Sequence, residues 1–287
     1  MEFYLPTHPP IAEKSLDNDY RMKRELQHKY DNLLSCLRKA GKTAVAFSGG
    51  VDSTFLLKAA SEVLPSGHIL ALTIHTPYIP EKEIEDARRT ANDMNIRHIV
   101  LDSPVPEQVM NNPKDRCYIC KTYLFSRMKE VAKQHGFKEV MEGTNADDEL
   151  SYRPGIRALQ ESGIKSPLKE CGLIKQDIRE LSRIKGLATW DKPALACLLT
   201  RLPYNTAVDE AVLRRIEKSE QYLFGLGLRS VRVRVHGDLA RIEAEKTSFP
   251  VIISDKLYEQ ICRQLKDYGF KFITLDMEGI RSGSFDN

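Results

Sequence analysis

Apolar residues recur at helical spacing from about Asp19 to Ala40, where Met22, Leu26, Tyr30, Leu33, Leu34 and Leu37 mark one face of a lead helix ended by Gly41. Beyond it, short apolar runs alternate with amphipathic stretches. The pattern predicts strands at about 43–48, 68–74, 97–101 and 138–141, separated by helices at about 53–63, 81–95 and 121–135. Strict strand–helix alternation predicts an α/β fold: a parallel sheet with helices on both faces and right-handed crossovers. Ligands of such sheets bind beyond the carboxyl ends of the strands. Residues 151–173 read as irregular, and a helix follows at about 175–185. The segment from Thr189 to Thr206 is rich in Pro, Cys and polar residues, and a structured loop of that length is usually functional.

After Asn205 the pattern changes. A helix at about 208–224 precedes two alternating strands, 230–235 and 239–244, joined by the turn His236-Gly237-Asp238; a helix near 254–268 and a strand at 270–274 follow. The chain therefore divides into an N-terminal extension (1–18), an α/β domain (19–206) and a smaller C-terminal α+β domain (207–287). It has no internal repeats or low-complexity stretches.

A length of 287 residues agrees with two domains, and 29% charged with 41% hydrophobic residues is ordinary for a folded protein. The 43 Lys and Arg against 40 Asp and Glu leave a net charge of +3, which argues against a large nucleic-acid surface and leaves room for a small anionic substrate. The first thirty residues carry Pro6, Pro9, Pro10 and a charged stretch from Lys14 to Arg24, without a signal-peptide core, and no run approaches eighteen apolar residues. The expectation is a cytoplasmic protein without a membrane span. There the six cysteines, at 36, 117, 120, 171, 197 and 262, point to metal binding or thiol chemistry rather than structural disulfides.

The first predicted strand breaks into Ser48-Gly49-Gly50-Val51-Asp52-Ser53 just before a helix. Gly49 and Gly50 permit a sharp turn whose amides point outward, and the following helix adds its positive end, so the loop suits phosphate oxygens. Ser48, Ser53 and Thr54 add hydroxyl donors. Asp52 would repel phosphate, so its expected role is to hold a Mg²⁺ that bridges to it. No Gly-Lys-Ser/Thr closes the loop, which separates it from the Walker type. The plain alternative is a glycine-rich turn, but five fixed positions at roughly 5–7% each match by chance on the order of once in a few thousand such chains.

Cys117-Tyr118-Ile119-Cys120 lies after the Pro113 turn and before a predicted helix, flanked by Arg116 and Lys121, a setting that favours thiolates. Cys36 and Cys262 fall on apolar helix faces, where packing is the commoner role, and Cys171 is ambiguous. Cys197 sits in Asp191-Lys192-Pro193-Ala194-Leu195-Ala196-Cys197, four residues before Arg201, where a thiol ionises more easily and can attack an activated carbon or ligate iron. A buried loop cysteine is its plain alternative.

Together the Ser48–Ser53 loop, Arg116-Cys117-Tyr118-Ile119-Cys120-Lys121, Glu142-Gly143-Thr144-Asn145-Ala146-Asp147-Asp148, the Asp191–Cys197 segment and Arg232 through Glu243 resemble the LarE family of PP-loop ATP-dependent sulfur transferases, over about residues 20–275. The resemblance implies an adenine nucleotide α-hydrolase-like fold with ATP bound by Ser48, Gly49, Gly50, Asp52, Ser53, Thr54, Gly143 and Asp147. It implies adenylation of a carboxylate on a pyridinium mononucleotide, then sulfur insertion, in nickel-pincer nucleotide biosynthesis, and a homo-oligomer. One branch of the family sacrifices the sulfur of a lone cysteine matching Cys197; the other holds a [4Fe-4S] cluster on three cysteines. The Cys-x-x-Cys pair places this chain with the cluster branch, with Cys117, Cys120 and Cys197 as ligands. Zinc on the same thiolates is the competing metal. Catalytic roles are expected for Cys197 and Asp52.

Arg232 and Arg234 share one face of their strand by its period of two, with Arg241 across the turn; clustered guanidiniums suit a phosphate monoester, and Arg201 is a further candidate. Asp238 and Glu243 could instead pair with them as a plain surface network, and Asp147 and Asp148 could simply cap a turn. Trp190 and Tyr118 are candidates for stacking on a flat ring. A tRNA-thiolating PP-loop enzyme is the main rival reading, weakened by the balanced charge and the lack of a basic stripe. An ammonia-dependent amidotransferase would not need the cysteine set, and a non-catalytic metal-storage protein would not need the ATP loop.

Overall fold

The first strand alternates sides as its period of two demands: Val45 and Phe47 face one apolar layer and Ala44 the other, and all three are buried. A computed structural model describes residues 11–150, 154–193, 196–254, 256–281 and 283–285, in the element order that follows. Helix α1 (Ile11–Ala40) leads into β1 (Thr43–Ala46), α2 (Val51–Val63), β2 (Ile69–His75), α3 (Glu81–Asp93), β3 (Arg97–Asp102), α4 (Arg116–Gln134) and β4 (Glu139–Met141). The strands form one parallel sheet in the order β3-β2-β1-β4, so the chain enters at the centre and reverses direction across β1. That reversal is where such sheets open a crevice for ligands.

One face of the sheet is covered by α1, α2, α3 and the later α7 (Lys175–Ile184), through Leu33, Leu37, Phe55, Ala87 and Ile178. The other face is covered by α4 and α5 (Pro154–Ser162), through Phe125, Met128, Ala132 and Leu159. Helices on both faces explain why β2 reads as an unbroken apolar run. The segment expected to be irregular contains α5 and a short α6 (Pro167–Glu170), and a parallel bridge from Lys165 to Met141 extends the β4 edge by one residue. Short helices interrupted by Gly163 and Pro167 carry too little periodic signal to be read from sequence. The lead helix begins at least eight residues before its expected start. Ala194 and Leu195, inside the Cys197 motif, lie outside the described residues.

The C-terminal unit is built from α8 (Glu210–Gly225), a hairpin of β5 (Val231–His236) and β6 (Leu239–Ala244), α9 (Phe249–Ile252), α10 (Leu257–Asp267) and β7 (Phe272–Leu275). β5 and β6 are antiparallel, and β7 lies parallel to β6 at the edge. Its apolar core takes in Tyr78, which follows β2, and Leu198, Leu199 and Leu202, which follow Cys197. The cysteine-bearing loop is thus sandwiched between the two sheets. No helix among the described residues is long and apolar enough to cross a membrane.

Candidate functional site: a phosphate loop facing a cysteine loop

β1 ends at Ala46 and α2 begins at Val51, so the intervening residues must reverse within a few bonds. Gly49 does this at φ +69, and a side chain there would stand 3.2 Å from Ala87 Cα. The loop closes on itself: the Ser48 N–H donates to Ser53 Oγ at 3.2 Å, and the two serine hydroxyls lie 3.1 Å apart. Gly50 caps α2 without any side-chain acceptor, which leaves the helix-opening amides for an anion.

Two cavities meet at this loop. One, about 380 Å³, lies beyond the carboxyl ends of β1 and β2 and is lined by Phe47, Ser48, Gly50, Asp52, Ser53, Ile74, Gly143, Thr144 and Asp148, among others. Apolar walls with a polar phosphate end suit a nucleoside. The other, about 360 Å³, is lined by Ser48, Gly50, Asp52, Glu83, Lys175, Arg179, Lys192 and Cys197, among others. Asp52 borders both, and its carboxylate oxygens fit Mg²⁺ as hard donors beside the phosphate loop. Gly143 brings its strand end against the loop: a Cβ there would stand 2.8 Å from Ser53 N.

Several site residues escape sequence reasoning. Lys175 opens α7 and ion-pairs with Asp52, while Asn145 Nδ2 donates to Asp52 at 3.5 Å. Lys192 pairs with Glu83 at 2.9 Å, and its Nζ lies 3.4 Å from the Gly49 carbonyl. Arg179 donates to the carbonyls of Trp190 at 2.8 Å and Lys192 at 2.9 Å. Only the positions of Asn145 and Lys192 within the quoted motifs could have flagged any of them. Asp147 accepts the Lys175 N–H at 2.7 Å, so it anchors the α7 start rather than lining either cavity. Thr54 is buried with its hydroxyl unpartnered and lines neither cavity.

Cys117 and Cys120 lie within the first turns of α4, not ahead of a helix as expected. The Cys120 sulfur sits 2.9 Å from the Tyr78 hydroxyl, and burial, together with the negative charge of Cys197 and Cys117, pushes its thiol up to about 11 against that hydrogen bond. Burial raises the Cys197 thiol too, and Cys117 adds to the rise, while Arg116 and Arg201 oppose it. The three cysteines therefore share one electrostatic neighbourhood. Among the described residues, no three His, Cys, Asp or Glu side chains close on a point that would hold a metal ion. Burial raises both the Cys36 and the Cys171 thiol; Cys36 adds to the rise at Cys171, whereas Glu170 adds to the rise at Cys36 and the contact with Cys171 opposes it.

The expected arginine cluster does form on one face of the hairpin, where Arg232 stands opposite Glu243 and Arg234 opposite Arg241. Arg201 is 1% exposed and grips Glu220 with two bonds, 2.8 and 2.9 Å, while also donating to Ala196 O at 3.0 Å. It braces the cysteine loop from within. Arg234 donates to Glu243 at 2.8 Å and to Thr200 O at 2.5 Å; Arg241 donates to Glu243 at 3.2 Å. Glu243 is 0% exposed, and its Oε2 is unpartnered. Among the described residues Arg232 donates only to Arg281 O, at 3.0 Å, and burial with repulsion from Arg201 and Arg234 lowers its pKa, so an anion there would be welcomed. Tyr118 pairs with Glu161 at 2.6 Å, and Trp190 is exposed; neither lines the two cavities.

Comparison with known proteins agrees with this geometry. A family model described as asparagine synthase matches residues 30–160, the span carrying the loop and sheet. The chain is 36% identical over 263 residues to an uncharacterized protein of Synechocystis sp., covering 91% of this chain and 98% of that one. It is 34% identical over 266 residues to the pyridinium-3,5-bisthiocarboxylic acid mononucleotide synthase of Lactiplantibacillus plantarum, covering 91% and 95%. An uncharacterized protein of Methanocaldococcus jannaschii is 33% identical over 264 residues, covering 91% and 96%.

Proposed function

The chain belongs to the LarE family of PP-loop ATP-dependent sulfur transferases, and from that premise we propose that it adenylates a carboxylate of a pyridinium mononucleotide and replaces the activated oxygen with sulfur supplied through Cys117, Cys120 and Cys197. One observation carries this reading: Asp52 borders both cavities, and Cys197 lies in the wall of the second. Activation and sulfur chemistry then share one space.

In the first step a substrate carboxylate oxygen attacks the α-phosphorus of ATP and pyrophosphate leaves. The loop amides orient the phosphates, and Lys175, Arg179 and Lys192 are placed to neutralise the leaving pyrophosphate. Mg²⁺ held by Asp52 supplies further charge neutralisation when bound. In the second step a sulfur lone pair forms the C–S bond as the C–O bond to AMP breaks, and the charge departs with AMP. Arg232, with Arg234 and Arg241 behind it, is assigned the phosphate of the mononucleotide.

Three soft thiolate donors suit an iron–sulfur cluster, with zinc on the same thiolates as the competing metal. Cys117, Cys120 and Cys197 would hold such a cluster, which would supply hydrosulfide for the transfer. Sacrifice of Cys197 is the second reading, favoured by the fact that Cys197 alone of the three lines the cavity.

Anaerobic reconstitution with iron and sulfide, followed by transfer assays on pyridinium dicarboxylate mononucleotide and bulk tRNA in parallel, tests the proposal. The expected result is a brown protein, bleached by Cys117→Ala, Cys120→Ala or Cys197→Ala, that thiolates only the mononucleotide. A colourless protein with stoichiometric zinc rejects the cluster, loss of H₂S mass at Cys197 after turnover establishes sacrifice, and thiolated tRNA rejects the substrate.

A further inference from the structure

Arg116 opens α4 beside Cys117, and its side chain is 7% exposed. Its Nε and Nη1 are buried without a hydrogen-bond partner, and no carboxylate among the described residues pairs with it. The guanidinium lies 4.5 Å over the Tyr204 ring, on the loop that continues from Cys197. The two segments are locked together around it. Asn112 Nδ2 donates to the carbonyls of Leu199, Leu202 and Pro203, and the Asn205 N–H donates to Asn112 O at 3.1 Å.

An unpaired buried guanidinium is costly, since a ring face replaces only part of its lost hydration. Arg201, the other guanidinium near Cys197, is neutralised by Glu220. Arg116 is therefore a buried positive charge beside the cysteine set with no carboxylate partner among the described residues. Such a charge with free donors is arranged for an anion, and the chemistry at Cys197 requires an anionic sulfur.

We propose that Arg116 is a positioning residue for the sulfur step, its free N–H groups holding the anionic divalent sulfur that attacks the acyl-adenylate. The role rests on the sulfur-transfer reading above. That sulfur is either the Cys197 thiolate or a hydrosulfide beside it. In both cases its lone pair forms the C–S bond, the C–O bond to AMP breaks and AMP carries away the charge; with Cys197 as the source, loss of the Cα proton to water then breaks the Cβ–S bond, leaving the thiocarboxylate and dehydroalanine, and the guanidinium gains and loses no proton. Tyr204 fixes the plane of the fork, so a lysine would keep the charge but not the geometry.

The test uses the full-length protein under anaerobic conditions with three variants: Arg116→Gln, Arg116→Lys and Cys197→Ala. Retention of ³⁵S-hydrosulfide in equilibrium dialysis and single-turnover sulfur transfer are measured together, with ATP affinity as the check on folding. Arg116→Gln is expected to lower both by about tenfold or more, since a charge-assisted hydrogen bond is lost, and Arg116→Lys to recover part of each. Arginine-dependent retention with the mass of Cys197 intact after turnover identifies the hydrosulfide, and Cys197→Ala, which removes both candidate sulfurs, is the blank for both measurements. Loss of H₂S mass at Cys197, slowed in Arg116→Gln, identifies the thiolate. Wild-type retention and transfer in Arg116→Gln overturn the role of Arg116 alone. A wild-type protein that releases pyrophosphate yet neither retains sulfide nor loses sulfur from Cys197 overturns the sulfur reading and this role together.

Discussion

Asp52, in the first turn of α2, ion-pairs with Lys175, the first residue of α7, across 123 positions of sequence. The pair ties the phosphate loop to the wall of the second cavity. In the proposed mechanism a divalent cation held by Asp52 would compete with this contact and leave Lys175 available to the pyrophosphate. Asp52→Ala should abolish ATP-dependent pyrophosphate release, and Lys175→Met should slow it by about a hundredfold with a smaller change in ATP affinity. Both are read in a pyrophosphate-release assay; unchanged rates would remove the pair from the mechanism.

Gly143→Ala places a methyl 2.8 Å from Ser53 N and 3.1 Å from the Asp52 carbonyl carbon, both on the backbone of α2. The loop must retreat, at a strain of about 1–3 kcal/mol. Calorimetric titration with ATP should show affinity falling about five- to a hundredfold, and the strain on the unliganded loop should lower the melting temperature by roughly a few degrees.

Arg201→Leu strands the buried Glu220 carboxylate and should cost about 3–5 kcal/mol, measured by denaturant unfolding. The double variant Arg201→Leu, Glu220→Leu should recover much of that stability. It should not recover sulfur transfer, because the Ala196 carbonyl loses its brace and the cysteine loop shifts. Full activity in the double variant would show that the bracing is dispensable.

Two histidines set opposite pH dependences. His75 Nδ1 lies 2.7 Å from Asp102 and Nε2 2.9 Å from Glu81, and these carboxylates raise its pKa against burial. Its stabilising contribution is full below the ordinary imidazole value near about 6.5 and is lost as pH rises through the raised folded value. His98, beside Thr73 at 2.7 Å, is lowered to about 4 by burial and by Arg88. Unfolded chains bind its proton first, so stability should fall as pH drops from about 6.5 towards 4. Melting curves of His75→Gln and His98→Gln should each flatten one limb of the wild-type profile.

Alternating periodicity was enough to determine the sheet, its helices and the C-terminal hairpin, because burial on two faces or one is written locally as period two or 3.6. The Ser48–Ser53 loop was legible for the same reason: its turn, amides and helix start are contiguous. The short helices 154–162 and 167–170 were not, since too few turns leave no period. Tertiary structure alone decided which residues meet the loop. Lys175, Arg179 and Lys192 are ordinary surface-type residues until the fold turns them into one cavity, and Asp147 is a backbone anchor because α7 starts beside it. Arg201 looks in sequence like Arg232, yet one is buried against Glu220 and the other has no carboxylate within ion-pair distance among the described residues. Charge and spacing name the candidates, but the partner of a charge lies far away in sequence, and only packing selects it.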